Sequence, residues 1–369
     1  MLTQDALSDC RYCSEISKEN GEDPIGTARN TDYWLVMEFA QPWKEQMFKE
    51  DPRITPLIEL FKQLFMKHGI MLQPVLIVPD RQYSTPGETR IIFYQRTQKQ
   101  FTQFEKQEYV VPEADFPRLA TAIMKQLMKQ PNELEAFQSY RRDTSHIREL
   151  LTCTHTSVDV ACGRFGTPIY QEIRDQYADA NLRVWRCSHF GGHQFAPTLI
   201  DLPTGQYWGH LESGMLELLV QQQGDVTGLR PHYRGWSGLS RFEQIAEREI
   251  WMETGWNWLA YQKSGRTLRK GLKGIKQFLY PLLRWIPLKR VQFFVNQFTN
   301  DAIWADVEIQ FASPDQAVSG IYRARVEQNG EILTAPKSPK KGEMPEVKPV
   351  PQYRVSRFKM KLNDQGQVA

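Results

Sequence analysis

The hydrophobic pattern opens at residues 33–39, an apolar run interrupted only by Glu38, which predicts a strand buried on both faces. Thr55 suits a helix N-cap and Pro56 the first helical position. Leu57, Leu60, Phe61, Leu64 and Phe65 fall on one face of the helix they open. Apolar runs at 75–78, 90–94 and 109–111 predict further strands, and a helix over about 116–128 completes a β-α-β-β-β-α order. That order then returns. Residues 147–152 read as a strand, Thr167 and Pro168 as a helix start, and Leu182–Cys187 as a strand. Residues 198–202 and 206–210 read as a hairpin over Pro203-Thr204-Gly205, and 215–220 begin a helix. The two Thr-Pro pairs stand 112 residues apart.

Past residue 228 the pattern changes. Ser240-Arg-Phe-Glu243 is a capping box that opens a helix with Phe242, Ile245, Ala246 and Ile250 inward, and Trp251, Trp256 and Trp258 cluster at its end. Leu268, Leu272, Ile275 and Leu279 form a helical apolar stripe, weakened by Gly265, Gly271, Gly274 and Pro281. Ile303, Ala305, Val307, Ile309 and Phe311 alternate with mostly polar neighbours. Tyr322, Ala324 and Val326 repeat the alternation ahead of Asn329-Gly330, a hairpin signal. Residues 334–352 are rich in Pro and Lys and read as a flexible loop, followed by a last strand at 353–362. The chain thus divides into a polar arm (1–29), an α/β unit (30–140) and a second α/β unit (141–228). A Trp-rich helix with a basic stretch (229–300) and a C-terminal β module (301–369) follow. A β-α-β start followed by a hairpin and a helix is the thioredoxin-like layout. The fold class expected is therefore α/β: two thioredoxin-like units in tandem plus a small C-terminal mainly-β module. In that layout chemistry sits in the loop after the first strand.

The 369 residues are enough to bury a core without disulfide staples. Lys and Arg number 46 against 43 Asp and Glu, a net charge of +3, which argues against a dedicated nucleic-acid binder. The first residues carry neither a basic n-region nor an apolar h-region, so a signal peptide is not expected. No run approaches the 18 or so apolar residues of a transmembrane helix. Five cysteines, an odd number, fit a reducing compartment such as the cytoplasm and thiols used for metal or redox work. The charge is unevenly spread. Residues 254–300 hold no Asp or Glu but nine Lys and Arg, a basic surface between Lys263 and Arg290 suited to an acidic redox partner or an anionic membrane surface.

Three of the five cysteines and three of the seven histidines fall between residues 153 and 193. Cys153 directly follows the second unit's first strand and Cys162 precedes its helix. His189 and His193, in HFGGH, follow its second strand, so all four meet at the same ends of neighbouring parallel strands. Two thiolates and two imidazoles complete a four-ligand metal site. The C-x8-C spacing departs from the C-x2–4-C of common zinc fingers. Gly191 and Gly192 disfavour a helix by about 1 kcal/mol each, so HFGGH reads as a loop bending round a bulky centre and offering backbone N–H groups to sulfur. A [2Fe–2S] cluster suits these donors, with a structural zinc ion as the alternative. Cys187 reads as a buried thiol or an alternative ligand, and His155 as a group behind the ligands or a polar loop residue. His210 and His232 read as structural or solvent-facing. Cys10 and Cys13 have the spacing of a thiol–disulfide oxidoreductase but precede any strand. At the 112-residue offset the first unit presents Gln41, Glu50, Ile77 and Arg81, which cannot form a cysteine–histidine cluster, so that unit is expected to be structural.

The run from CTHTSVDVACGRFGTPIY to VWRCSHFGGHQFAPTLIDLPTGQYWG resembles the sucrase/ferredoxin-like family, a branch of the thioredoxin-like [2Fe–2S] ferredoxins. Weaker resemblance extends to Cys13-Ser-Glu, to Asp23-Pro-Ile-Gly-Thr-Ala and to Tyr233-Arg-Gly-Trp. The resemblance implies that Cys153, Cys162, His189 and His193 ligate the cluster, with the cysteines on one iron and the histidines on the other. It implies an electron carrier serving a redox partner protein rather than a catalyst. No carboxylate pair in the chain can be assigned to glycoside hydrolysis. Histidine ligation implies a potential raised above that of an all-cysteine cluster and dependent on pH.

Overall fold

The computed structural model describes residues 12–283, 285–340 and 343–363; Cys10 lies outside them. A short helix α1 (Cys13–Glu19) leads into a first half made of β1 (Tyr33–Glu38), α2 (Glu45–Glu50), α3 (Thr55–His68), β2 (Leu72–Ile77), β3 (Glu88–Gln95), β4 (Glu105–Pro112), α4 (Phe116–Leu127) and β5 (Arg141–Arg142). The second half runs β6 (Arg148–Cys153), α5 (Val160–Tyr177), β7 (Leu182–Cys187), β8 (Leu199–Leu202), β9 (Gln206–Trp208), α6 (Ser213–Gln221) and β10 (Tyr233–Trp236). The C-terminal third adds α7 (Arg241–Thr254), β11 (Gln262–Gly271), α8 (Lys276–Leu283), α9 (Lys289–Phe298), β12 (Trp304–Ala312), β13 (Ser319–Thr334) and β14 (Lys348–Leu362).

The molecule is α/β. Strands of both halves form one mixed sheet in the order β10-β9-β8-β6-β7-β2-β1-β3-β4-β5, and β11 to β14 form a separate antiparallel sheet. In each half the first strand pairs parallel with the second and antiparallel with the third. The β-α-β, hairpin and helix order expected of each unit is thus present twice. The halves join edge to edge where Ile77 of β2 faces Cys187 of β7. Side chains of β1 alternate between two cores. Trp34 and Val36 enter the core shared with the second half, and Leu35 and Met37 the core beneath α3 and α4. The sheet curls so that Trp34 and Tyr207, on β1 and β9, lie 5.7 Å apart between ring centres. A buried ion network also spans the halves. Lys106 Nζ on β4 lies 2.6 Å from Glu149 Oε1 on β6, Glu149 accepts from Trp185 Nε1 (2.6 Å), and Arg183 Nη1 reaches Glu108 (3.0 Å).

Several expectations need correction. Helix α5 starts at Val160, two turns before the Thr167-Pro168 pair, because the Asp159 carboxylate accepts from the Ala161 N–H at 2.9 Å and caps it. Pro168 lies inside the helix, and the Thr-Pro offset does not relate the halves. The ends of the paired strands do: Cys153 faces Cys187 where Glu38 faces Ile77, so the counterpart of Cys153 is Glu38 rather than Gln41. The stretch read as a weakened helix begins instead as β11, and Gly265 and Gly271 are where Leu239 and Trp304 press against that strand. Asn329-Gly330 sits within β13 at a register shift, not at a turn. Part of the basic stretch is paired within the protein. Arg266 pairs with Glu308, Arg269 with Asp306 and Lys276 with Asp301, while Lys263 is buried and donates to the Trp258 carbonyl. The stretch also exposes apolar side chains, Phe278, Leu282 and Trp285, beside the exposed Lys273 and Arg290. No helix among the described residues is long and apolar enough to cross a membrane.

Candidate metal centre

The second half delivers its sulfur and nitrogen atoms to one end of the sheet. Cys153 is the last residue of β6, and its amide donates to the Thr198 carbonyl at 3.0 Å. Cys162 is in the first turn of α5, not ahead of the helix, and its amide donates to the Asp159 carbonyl at 3.2 Å. The helix packs so closely that a side chain at Gly166 would meet the Cys153 carbonyl oxygen at 2.1 Å. His189 stands just beyond β7, with Nδ1 at 3.9 Å from Cys153 Sγ and 3.8 Å from Cys162 Sγ. Cys153, Cys162 and His189 place one ligand atom each within 4.8 Å of one another.

His193 stands beside this trio, its ring centre 5.5 Å from that of His189, but its Nδ1 faces the other way. That nitrogen is 3.4 Å from Cys13 Sγ and 3.5 Å from Asp159 Oδ2, and Cys13, Asp159 and His193 form a second group of ligand-bearing side chains. Ser338 closes it. Its N–H and hydroxyl donate to the two Asp159 oxygens at 2.9 and 2.6 Å, and its hydroxyl accepts from the Cys13 amide at 3.1 Å. The loop between β13 and β14 is therefore anchored where the sequence suggested flexibility.

The remaining candidates sort by contact. His155 accepts from the His189 backbone N–H through Nδ1 (3.1 Å), so Nε2 carries its proton and donates to the Trp43 carbonyl (2.6 Å). It thereby ties the HFGGH loop to the first half. Cys187 is fully buried opposite Cys153 and stands in neither ligand group among the described residues; burial pushes its thiol well up. Gly191 and Gly192 have φ of +102° and +79°, and the space beside Gly192 is filled by Arg234. Arg234 donates to the Gly191 carbonyl at 3.0 Å and to the Thr27 carbonyl at 3.1 Å.

Electrostatics favour one negative charge on the thiol pair. The Cys162 S–H donates to Cys153 and holds it down to about 5, with His189 adding to the effect; Cys162 is raised by the same sharing. Burial brings the Arg234 guanidinium down to about 10, opposed by charge at Tyr207, Cys153 and Cys162. Burial raises the Asp159 carboxyl, but donors from Ser338 and Ala161 outweigh it and hold it below its ordinary range. Burial lowers His193 against the pull of Asp159, and burial pushes Cys13 up to about 12.

Two sulfurs side by side, an imidazole nitrogen facing both and a second imidazole adjoining it make a soft, mixed sulfur–nitrogen donor set. This donor set at one end of an α/β sheet makes a candidate metal centre. The chain belongs to the sucrase/ferredoxin-like family, whose model matches residues 24–235. No curated protein and no solved structure matches the chain. The matched span contains both cysteines and both histidines of HFGGH, together with Asp159 and Arg234. Cys13 and Ser338, which close on His193 and Asp159, lie outside it. Sequence reasoning missed Asp159, Arg234 and Ser338 as neighbours of the centre. Arg234 stood in the Tyr233-Arg-Gly-Trp motif and Asp159 directly before a helix, but nothing in the local sequence marks Ser338.

Proposed function

We propose that Cys153, Cys162, His189 and His193 hold a [2Fe–2S] cluster and that the protein carries electrons one at a time for a redox partner. The observation that carries this reading is the convergence of both thiols on His189 Nδ1, with the His193 ring alongside. When bound, the cluster supplies one-electron chemistry at a potential raised by imidazole ligation. The chain's own residues prepare the place. Arg234 sets a buried positive charge beneath the loop, Asp159 holds the outer nitrogen of His193, and His155 fixes the position of the His189 backbone. Helix α1 and Ser338 cover the His193 side from water.

A single zinc ion is the second reading, favoured by the ion-sized spacing of the Cys153, Cys162 and His189 ligand atoms. Protein purified without oxygen separates the two. Iron and sulfide near two each per chain, with visible absorption, are expected; zinc near one per chain and no colour would establish the alternative. His189→Ala and His193→Ala are each expected to shift the absorption and the midpoint potential, which should itself vary with pH. Unchanged colour and potential in both variants would overturn imidazole ligation.

A further inference from the structure

A cavity of about 1060 Å³ opens beside the HFGGH loop, with His189 and Gly191 in its wall. That is the size of a small-molecule site, roughly 300–1,000 Å³. Three guanidiniums, of Arg29, Arg234 and Arg241, border it, and no salt bridge reaches any of them among the described residues. Arg29 rests on the Gln73 carboxamide at 2.5 Å, and Arg234 on carbonyl oxygens. The Nε of Arg241 is buried without a hydrogen-bond partner. Asp32, the one acid in the lining among the described residues, lies 3.7 Å from Arg96. The Arg241 guanidinium also lies 5.2 Å from the Tyr353 ring centre, and guanidiniums that border a cavity without a carboxylate partner favour an anion. The far wall is aromatic, formed by Trp285, 74% exposed, and Phe293. On the loop side, a Cβ at Gly191 would meet nothing within 4 Å, so bare backbone faces the space.

We propose that this cavity binds a planar aromatic anion, its charge held by Arg29 and Arg241 and its ring by Trp285 and Phe293. The site stands on the cavity alone; only the role of its occupant rests on the cluster reading. If the centre holds a cluster, a quinone-type ring beside His189 would accept one electron from it and become the radical anion, the cluster being oxidised by one electron.

The probe is anthraquinone-2,6-disulfonate, titrated calorimetrically into the full chain. One saturable site is expected, weakened about tenfold or more in Arg29→Gln and in Trp285→Ala. Both side chains are largely exposed, so neither variant puts folding at stake. Absence of saturable binding, equal binding by both variants, or inorganic sulfate binding as tightly as the probe would overturn the proposal. A coloured, iron-loaded protein that fails to bind condemns the cavity and spares the cluster. Iron-free protein that binds the probe supports the cavity and removes its redox role.

Discussion

Gly191 and Gly192 occupy the same loop under different constraints. A Cβ on Gly192 would sit 2.2 Å from Arg234 Nη2, whereas one on Gly191 meets open space. Both have positive φ, so alanine at either position carries a backbone cost of about 1–2 kcal/mol. Only Gly192→Ala must also displace a buried guanidinium, and its expected total is about 3 kcal/mol or more. Denaturant midpoints of the two variants compare these directly; equal losses would show that Arg234 does not confine the loop. At this scale the sequence was most informative where chemistry and strand ends coincide. Cys153, Cys162 and His189 were recognisable because neighbouring parallel strands bring their ends together. The contacts of Cys13 and Ser338 were not, because they join residues 325 positions apart through tertiary packing alone.

Helix α1 shows how a segment with little core of its own is held. Its Ser17 hydroxyl meets His210 Nε2 at 3.1 Å, and the His210 ring stands edge-on to Phe195 at 5.4 Å. Burial lowers His210 to about 3. In the unfolded chain it takes up a proton near pH 6.5, so the unfolded state binds protons first as pH falls. The stability associated with neutral His210 is therefore complete above about pH 6.5 and is lost progressively towards pH 3. His210→Gln keeps a polar partner for Ser17 without that titration. Chemical denaturation at pH 7 and pH 5 is expected to show a smaller decline for the variant than for the parent, and parallel declines would refute the assignment. Elements were legible in proportion to the strength of their local signals. The capping box of α7 formed as written, with Ser240 and Glu243 in reciprocal bonds. Strand β11 was misread because leucines four apart mimic a helix face, while its β-sheet partner, β12, begins more than 30 residues later.

At the scale of the whole molecule, the two halves are coupled by more than the short seam between β2 and β7. Lys106 compensates Glu149, with both side chains at most 2% exposed, and Glu149 also holds the Trp185 indole. Lys106→Met leaves that carboxylate without its nearest cation, although Arg183 remains 3.4 Å away. The expected loss is about 3 kcal/mol or more, read as a lowered midpoint for unfolding of the large sheet. A change under 1 kcal/mol would show that Arg183 suffices. The repetition of one α/β unit was visible in the order of elements, but their edge-to-edge union was not, since no sequence pattern distinguishes a free sheet edge from a joined one.

Ser338 adds an order of events to this architecture. The proposed ligands end at His193, whereas the hydroxyl that braces Asp159 and Cys13 follows 145 residues later. During synthesis, the thiols leave the ribosome well before the piece that seals them does. On the growing chain the His193 side thus stays open until Ser338 docks on Asp159 and Cys13, after which the cavity at His189 and Gly191 is the remaining approach.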